Sequence, residues 1–72
     1  MSIIRGLSES ETSNIGDEPG DVEIGVVYGP KHTSTIVYQR GAQFFAVYVA
    51  GDWTVGGDEV TEDDPIVREA RP

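Results

Sequence analysis

The densest run of strand-forming residues in the chain is the segment TSTIVYQRGAQFFAVYV, which spans residues 33–49. β-Branched and aromatic side chains dominate residues 33–39 and 44–49, and Arg40-Gly41 lies between the two runs. This pattern predicts a β-hairpin in which Gly41 supplies the positive φ of the turn. The rest of the chain is best understood as packed around this hairpin.

Two turn lengths are compatible with the hairpin, and they predict different registers. If Gln39-Arg40-Gly41 forms a three-residue loop, Ile36 faces Phe44 across the ladder. A two-residue Arg40-Gly41 turn would instead pair Val37 with Phe44 and turn Ile36 to the opposite face. We favour the three-residue loop because it gathers more aromatic area on one side. That face would carry Ser34, Ile36, Tyr38, Phe44, Ala46 and Tyr48.

The second strand of the hairpin, FFAVYVA at residues 44–50, is apolar without alternation. Such a run is typical of a strand that is buried on both faces. A domain of this length buries only about 60% of the surface that its unfolded chain exposes. We therefore expect the second face to be covered either by another part of the chain or by a partner.

Further strands flank the hairpin on both sides. Val22, Ile24, Val26 and Tyr28 recur at every second position, which indicates a half-buried strand. Residues 29–32, Gly-Pro-Lys-His, form a turn, and Gly51-Asp52 forms another before a short fourth strand at residues 53–55. The predicted fold class is all-β: a small antiparallel meander of three to four strands, as a sheet or partly closed barrel, with an extended N-terminal arm.

The predicted β-domain occupies residues 21–56, between an N-terminal arm at residues 1–20 and an acidic tail at residues 57–72. Ser8 and Glu11 have the spacing of a capping box, so a short helix from about residue 9 to 14 is an alternative to a flexible arm. Asp64-Pro65 has the pattern of an N-cap followed by proline at the first helical position. A last helical turn is therefore an alternative to an extended tail.

Thirteen acidic and five basic residues give a formal net charge of −8. This charge repels nucleic-acid phosphates and anionic membranes, so we expect no direct nucleic-acid binding and no membrane association. The chain has no cysteine, which excludes disulfides and thiolate metal sites. Its first residues lack the apolar core of a signal peptide, so we expect a soluble, unprocessed protein of the cytoplasm or a virion.

The sequence contains no motif with a recognised chemistry, and we predict no enzyme activity, no cofactor and no metal. His32 is the single histidine, and its position in a turn favours an exposed imidazole over a ligand or a base. Two acidic clusters, residues 17–21 and 58–64, contain oxygen ligands that Ca²⁺ accepts, but neither has the spacing of an EF-hand loop. We interpret both as hydrated loops.

These observations favour a small, non-enzymatic interaction or structural protein that binds another protein or copies of itself. A compact sheet with an arm and an acidic surface suits an accessory subunit of an assembly such as a viral coat. The predicted binding residues are the aliphatic side chains of the arm and one face of the second hairpin strand: Ile3, Ile4, Leu7, Phe45, Val47 and Val49. The alternative hypothesis is an acidic inhibitor that mimics nucleic acid and blocks a basic surface on its target.

Overall fold

Five antiparallel strands form one open sheet in the computed structural model, which describes residues 3–72. The strands are β1 (Ile3–Gly6), β2 (Asp21–Tyr28), β3 (Thr33–Arg40), β4 (Gln43–Ala50) and β5 (Trp53–Val60). Their order across the sheet is β1-β5-β4-β3-β2, so the apolar strand β4 lies at the centre. The all-β class and the antiparallel arrangement are confirmed, and the expected number of three to four strands is corrected to five.

The additional strand comes from the predicted arm, because strand β5 is longer than its sequence suggests. It runs through Gly56, Gly57, Asp58 and Glu59, residue types that are depleted in strands, and ends at Val60. Its outer edge pairs with β1, with Ile3 opposite Val60 and Gly6 opposite Asp58. Long-range pairing therefore determines the structure of both segments. Met1 and Ser2, the first residues of the predicted arm, lie outside the described residues.

Both expected registers of the central hairpin are wrong. Arg40 pairs with Gln43, and Ile36 pairs with Val47, so the loop consists of Gly41 and Ala42. Gly41 has a φ of 60°, as the first central residue of a type II′ turn requires, and only glycine adopts that conformation without strain. Because the glycine takes the first loop position and not the last, Ile36 shares a face with Val47 and lies on the opposite face from Phe44.

The turn between β2 and β3 has an unusual backbone conformation. Lys31 and His32 both have positive φ, 54° and 62°, which matches the mirror-image turns of tight hairpins. Such values cost a non-glycine residue about 1 kcal/mol or more. Hydrogen bonds hold the turn: Gly29 N donates to Thr33 O at 2.9 Å, and Gly51 N donates to His32 O at 2.9 Å. The turn is thereby fixed to the neighbouring β4–β5 turn.

Helix α2 (Pro65–Ala70) covers one face of the sheet, which we call the core face. Val67 is fully buried there against a cluster that includes Val37, Phe44, Ala46 and Val60. The expected N-cap is present, since the Asp64 carboxylate accepts from Ile66 N at 2.9 Å. Gly25 allows the close approach of the helix, because a Cβ at this position would overlap the carbonyl oxygen of Ala70.

Helix α1 (Glu9–Asn14) lies over the other face, which we call the second face. The capping box, which the sequence offered as an alternative to a flexible arm, is present: Ser8 Oγ accepts from Glu11 N, and the Glu11 carboxylate accepts from Ser8 N. Leu7 and Thr12 pack over Gly57, the cross-strand neighbour of Val47. Strand β4 is thus buried on both faces by its own chain, with Phe44 and Ala46 under α2 and Phe45 and Val47 on the side of α1.

Candidate functional site

Arg5 joins the N-terminal segment to the sheet through two carboxylates. Its Nε donates to Glu59 Oε1 at 3.0 Å, and its Nη2 lies 2.9 Å from Glu11 Oε2. The Arg5 hydrogen bond, followed by the backbone N–H of Ser8, lowers the pKa of Glu11 to about 2. The Arg5 guanidinium of strand β1 therefore contacts both helix α1 and strand β5. The charges of Arg5, Glu11 and Glu59 stabilise the packing of these three elements.

A second ion pair fastens the other end of helix α1. Arg40 binds Asp21 through two hydrogen bonds, Nε to Oδ1 at 2.6 Å and Nη2 to Oδ2 at 3.0 Å. Gly16 N also donates to Asp21 Oδ2, at 2.8 Å, and the Arg40 guanidinium lies 5.1 Å from the centre of the Phe45 ring. The hydrogen bond from Arg40 lowers the pKa of Asp21 to about 2. This cluster closes the second face over Phe45.

Tyr48 and Asp58 form a polar link on the core face. The Tyr48 hydroxyl donates to Asp58 Oδ2 at 2.6 Å, which connects β4 to β5 across the ladder. Burial and then this hydrogen bond raise the pKa of Tyr48 to about 12. The Tyr48 phenol therefore remains a neutral donor at physiological pH. Its hydrogen bond to Asp58 serves to connect two paired strands.

The described part of the chain contains no cluster of three or more histidine, cysteine, aspartate or glutamate side chains arranged to hold a metal ion. Each of the two acidic segments considered for Ca²⁺ has a carboxylate in an ion pair with an arginine: Asp21 binds Arg40, and Glu59 binds Arg5. His32 is exposed in its turn. Across residues 3–72, no helix is long and apolar enough to cross a membrane.

The most exposed large apolar side chains lie at one end of the sheet, which we call the tip. The tip comprises the two turns at residues 29–32 and 51–52 with the strand ends that border them. Tyr28, Trp53 and Val55 are 83%, 77% and 65% exposed there. Helix α2 packs over Val60 and Phe44, at the other end of the sheet. Helix α1 packs over Gly57 and borders Val55 across a second pocket, but it leaves Val55 exposed.

A shallow groove of about 270 Å³ opens at the tip. The apolar residues that border it come from strands β2, β4 and β5: Val27, Tyr28, Tyr48, Val49, Ala50 and Val55. Trp53 pairs directly with Ala50, so its indole projects from the sheet on the face that Ala50 occupies. The volume lies just below the range of about 300–1,000 Å³ that is usual for small-molecule sites. It is better suited to one large side chain than to a metabolite.

The charges of the molecule are separated along the strands. The tip carries Lys31 and His32 in one turn and Asp52 in the other. Carboxylates gather at the opposite end, around the start of strand β2 and the end of strand β5, which we call the acidic end. These are Asp17, Glu18, Asp21, Glu23, Glu59, Glu62, Asp63 and Asp64. The apolar tip is thus nearly balanced in charge although the chain as a whole is strongly acidic.

The six predicted binding residues do not form one surface. Ile3 and Ile4 are 45% and 56% exposed on the edge strand β1, whereas Leu7 is half-buried over Gly57. Phe45 and Val47 are interior side chains, at 1% and 5% exposure, so contact with a partner through them would require helix α1 to move away. Val49 alone of the six lines the groove at the tip.

Sequence reasoning missed the exposure of Tyr28, Trp53 and Val55 at one end of the sheet. The sequence pattern indicates an ordinary strand residue at each position, because alternation alone cannot show which part of a sheet a helix covers. One local signal was available: Trp53 is the single tryptophan and directly follows the Gly51-Asp52 turn, where side chains tend to remain at the surface.

Comparison of this chain with protein-family models, curated proteins and solved structures finds no match.

Proposed function

We propose that this protein is a small, non-enzymatic interaction protein that serves as an accessory or structural subunit and docks on a protein through its tip. One observation carries the proposal: Tyr28, Trp53 and Val55 are more than half exposed beside an apolar groove that neither helix covers. Large exposed apolar side chains next to such a groove are typical of a protein-binding surface. Trp and Tyr are also the side chains that most often dominate binding energy.

The strand edges favour contact through side chains over the addition of a partner strand. The outer strand β2 has an irregular register between Glu23 and Gly25, and β1 has one between Ile3 and Arg5. Strand β5 bulges at Val55, beside the part of its edge that β1 leaves open. Bulges twist an edge and interrupt its row of donors and acceptors, which protects it from pairing with another chain.

The alternative proposal, an inhibitor that mimics nucleic acid, has weaker support. A mimic needs free carboxylates in a row at phosphate-like spacing. At the acidic end, Asp21 and Glu59 are bound by arginines, and Glu62 lies 3.3 Å from Arg71. Asp17 and Glu23 instead gather around Tyr38, whose pKa burial and these charges raise.

Site-specific photocrosslinking tests the proposed docking surface. A photoreactive side chain placed at position 53 in the full chain should yield discrete protein conjugates in an extract of its native cells. The same group at Val22, which is 63% exposed near the acidic end, is the matched control and should yield few. Equal labelling at both positions, or none at either, would contradict docking through the tip.

A further inference from the structure

We propose that the partner which fits the tip is a second copy of this chain, with Trp53 of each copy inserted into the groove of the other. This inference rests on the proposed docking function of the tip. Knob and groove lie on the same sheet, since Trp53 projects beside Ala50 and Ala50 lines the groove. In a two-fold interface every contact occurs twice, so a surface that carries both a knob and its receptor is self-complementary.

The charges at the tip have the same reciprocity. Asp52 precedes the knob residue Trp53, and Lys31 lies in the adjacent turn, which follows Tyr28 at the border of the groove. Insertion of one indole into the facing groove therefore brings Asp52 of one copy towards Lys31 of the other, and the two-fold axis repeats the contact. Opposite charges arranged in this way favour the correct pairing and disfavour others.

The net charge of −8 is compatible with this pairing because of where the carboxylates lie. A tip-to-tip arrangement points the two acidic ends away from each other. The molecule measures 31 Å along its longest axis, and charges separated by more than about 8 Å are largely screened at physiological salt. Repulsion between the acidic ends therefore opposes the contact only weakly.

The area of the tip determines the dimer affinity that we expect. Two aromatic side chains bury about 150–250 Å² each, whereas a standard interface buries about 800 Å² on each partner. The tip with its turns supplies part of that area, which places the contact among weak and transient interfaces. We expect a monomer–dimer equilibrium in the micromolar range, where the mass rises from 7.8 kDa to twice that value.

Sedimentation equilibrium of the full chain tests the inference. Trp53→Ala should weaken dimerisation at least about tenfold, since truncated aromatic anchors usually cost this much or more. Val22→Ala, at the other end, should leave it unchanged. The fluorescence of the single tryptophan should shift to shorter wavelength as the concentration rises, because dimerisation buries the indole.

An exchange of charges between Lys31 and Asp52 tests the reciprocal geometry. Both residues are exposed in turns. Lys31→Glu and Asp52→Lys should each weaken dimerisation, by about threefold or more, because each variant places like charges opposite each other twice. An equimolar mixture of the two should restore it, since both contacts in the mixed dimer join opposite charges. Thermal melting of each variant verifies that it is folded.

The outcomes separate this inference from the proposed function. A chain that sediments as a monomer at all concentrations, or a dimer that Trp53→Ala leaves intact, overturns self-association, and so does a mixture of charge variants that shows no recovery. If photocrosslinks from position 53 then join a different protein, the docking function stands and only its second-copy partner is wrong. If position 53 yields no conjugates at all, both proposals fail.

Discussion

At the residue scale, single polar groups determine how the terminal segments attach to the sheet. Arg5 binds the distant Glu59 as well as Glu11 of helix α1, and Arg40 binds the distant Asp21, which accepts from Gly16 N just beyond the end of that helix. How much an ion pair stabilises the fold depends on its geometry, because an exposed pair without two-point contact usually contributes about 0–1 kcal/mol to stability. The two-point contact between Arg40 and Asp21, whose side chain is fully buried, has that geometry.

The Asp21 contact makes stability depend on pH in the acid range. Its pKa in the folded protein, about 2, lies below the ordinary value of the unfolded chain, so the stabilisation is complete above about pH 4. It is lost as the pH falls towards 2, when the folded protein must also take up the proton. We expect Asp21→Asn to lower the melting temperature at pH 7 and to flatten its decline between pH 4 and 2. Glu69→Gln, on the exposed side of helix α2, is the control and should retain the wild-type profile.

Gly25 is the residue at which a single methyl group should separate helix α2 from the sheet. Gly25→Ala places a Cβ against the Ala70 carbonyl oxygen, a backbone atom that cannot rotate away. We expect a loss of about 1–3 kcal/mol in the free energy of unfolding, measured by urea denaturation. A Cβ at Gly20 meets no atom within 4 Å, so Gly20→Ala should have little effect. Equal effects of the two substitutions would contradict the close approach.

At the element scale, two six-residue helices each cover one face of the sheet. Neither is long enough to be stable alone in water. Each begins with a side-chain cap, Ser8 in α1 and Asp64 in α2, and each is retained by packing against the sheet. The chain thereby covers both faces of β4 with few residues, and Tyr28, Trp53 and Val55 at the tip remain exposed.

Leu7 and Ile4 test whether the N-terminal segment packs on its own sheet. Leu7 is half-buried over Gly57, so Leu7→Ala should lower the free energy of unfolding by about 1–2 kcal/mol, which corresponds to several degrees in a domain of this size. Ile4 is 56% exposed, and Ile4→Ala should change it by less than about 0.5 kcal/mol. The reverse order in thermal melting would mean that Leu7 makes no contribution through this contact.

At the scale of the whole molecule, charge is concentrated at one end and apolar surface at the other. The acidic end adds repulsion to the folded state, whereas the tip presents exposed aromatic rings to the solvent. One small chain thus combines a strongly negative net charge with an exposed apolar surface at the end where few carboxylates lie.

Salt should therefore stabilise the folded protein. The Debye length at 0.01 M ionic strength is about 30 Å, comparable to the 31 Å length of the molecule, so the carboxylates repel one another across the whole structure. We expect the melting temperature to rise with added salt, measured at a concentration where the chain is monomeric. Neutralising Asp17, Glu18 and Glu23 together should reduce the rise. A melting temperature that falls with salt would show that the arginine pairs outweigh the repulsion.

The sequence by itself determined the features that neighbouring residues encode. The capping box at Ser8 and Glu11, the Asp64-Pro65 helix start and the Gly51-Asp52 turn depend on contacts within a few positions. The turn appears in the structure as predicted, and the two helix starts, which the sequence left as alternatives to a flexible arm and an extended tail, are both present. The sequence also predicted the burial of β4 on both faces, because an unbroken apolar run is unfavourable on a solvated face. It did not predict which segments cover those faces, because both helices are polar enough to be loops.

Only the tertiary structure decided the remaining features, because they depend on residues far apart in the chain. Arg5 reaches Glu59 across 54 positions, and that pairing makes strands of the arm and of a glycine-rich acidic segment. The hairpin register followed from which loop position Gly41 occupies, a choice on which neighbouring strands and packing also bear. The tip is exposed for the same reason: where the two short helices pack decides which apolar side chains of the sheet remain in water.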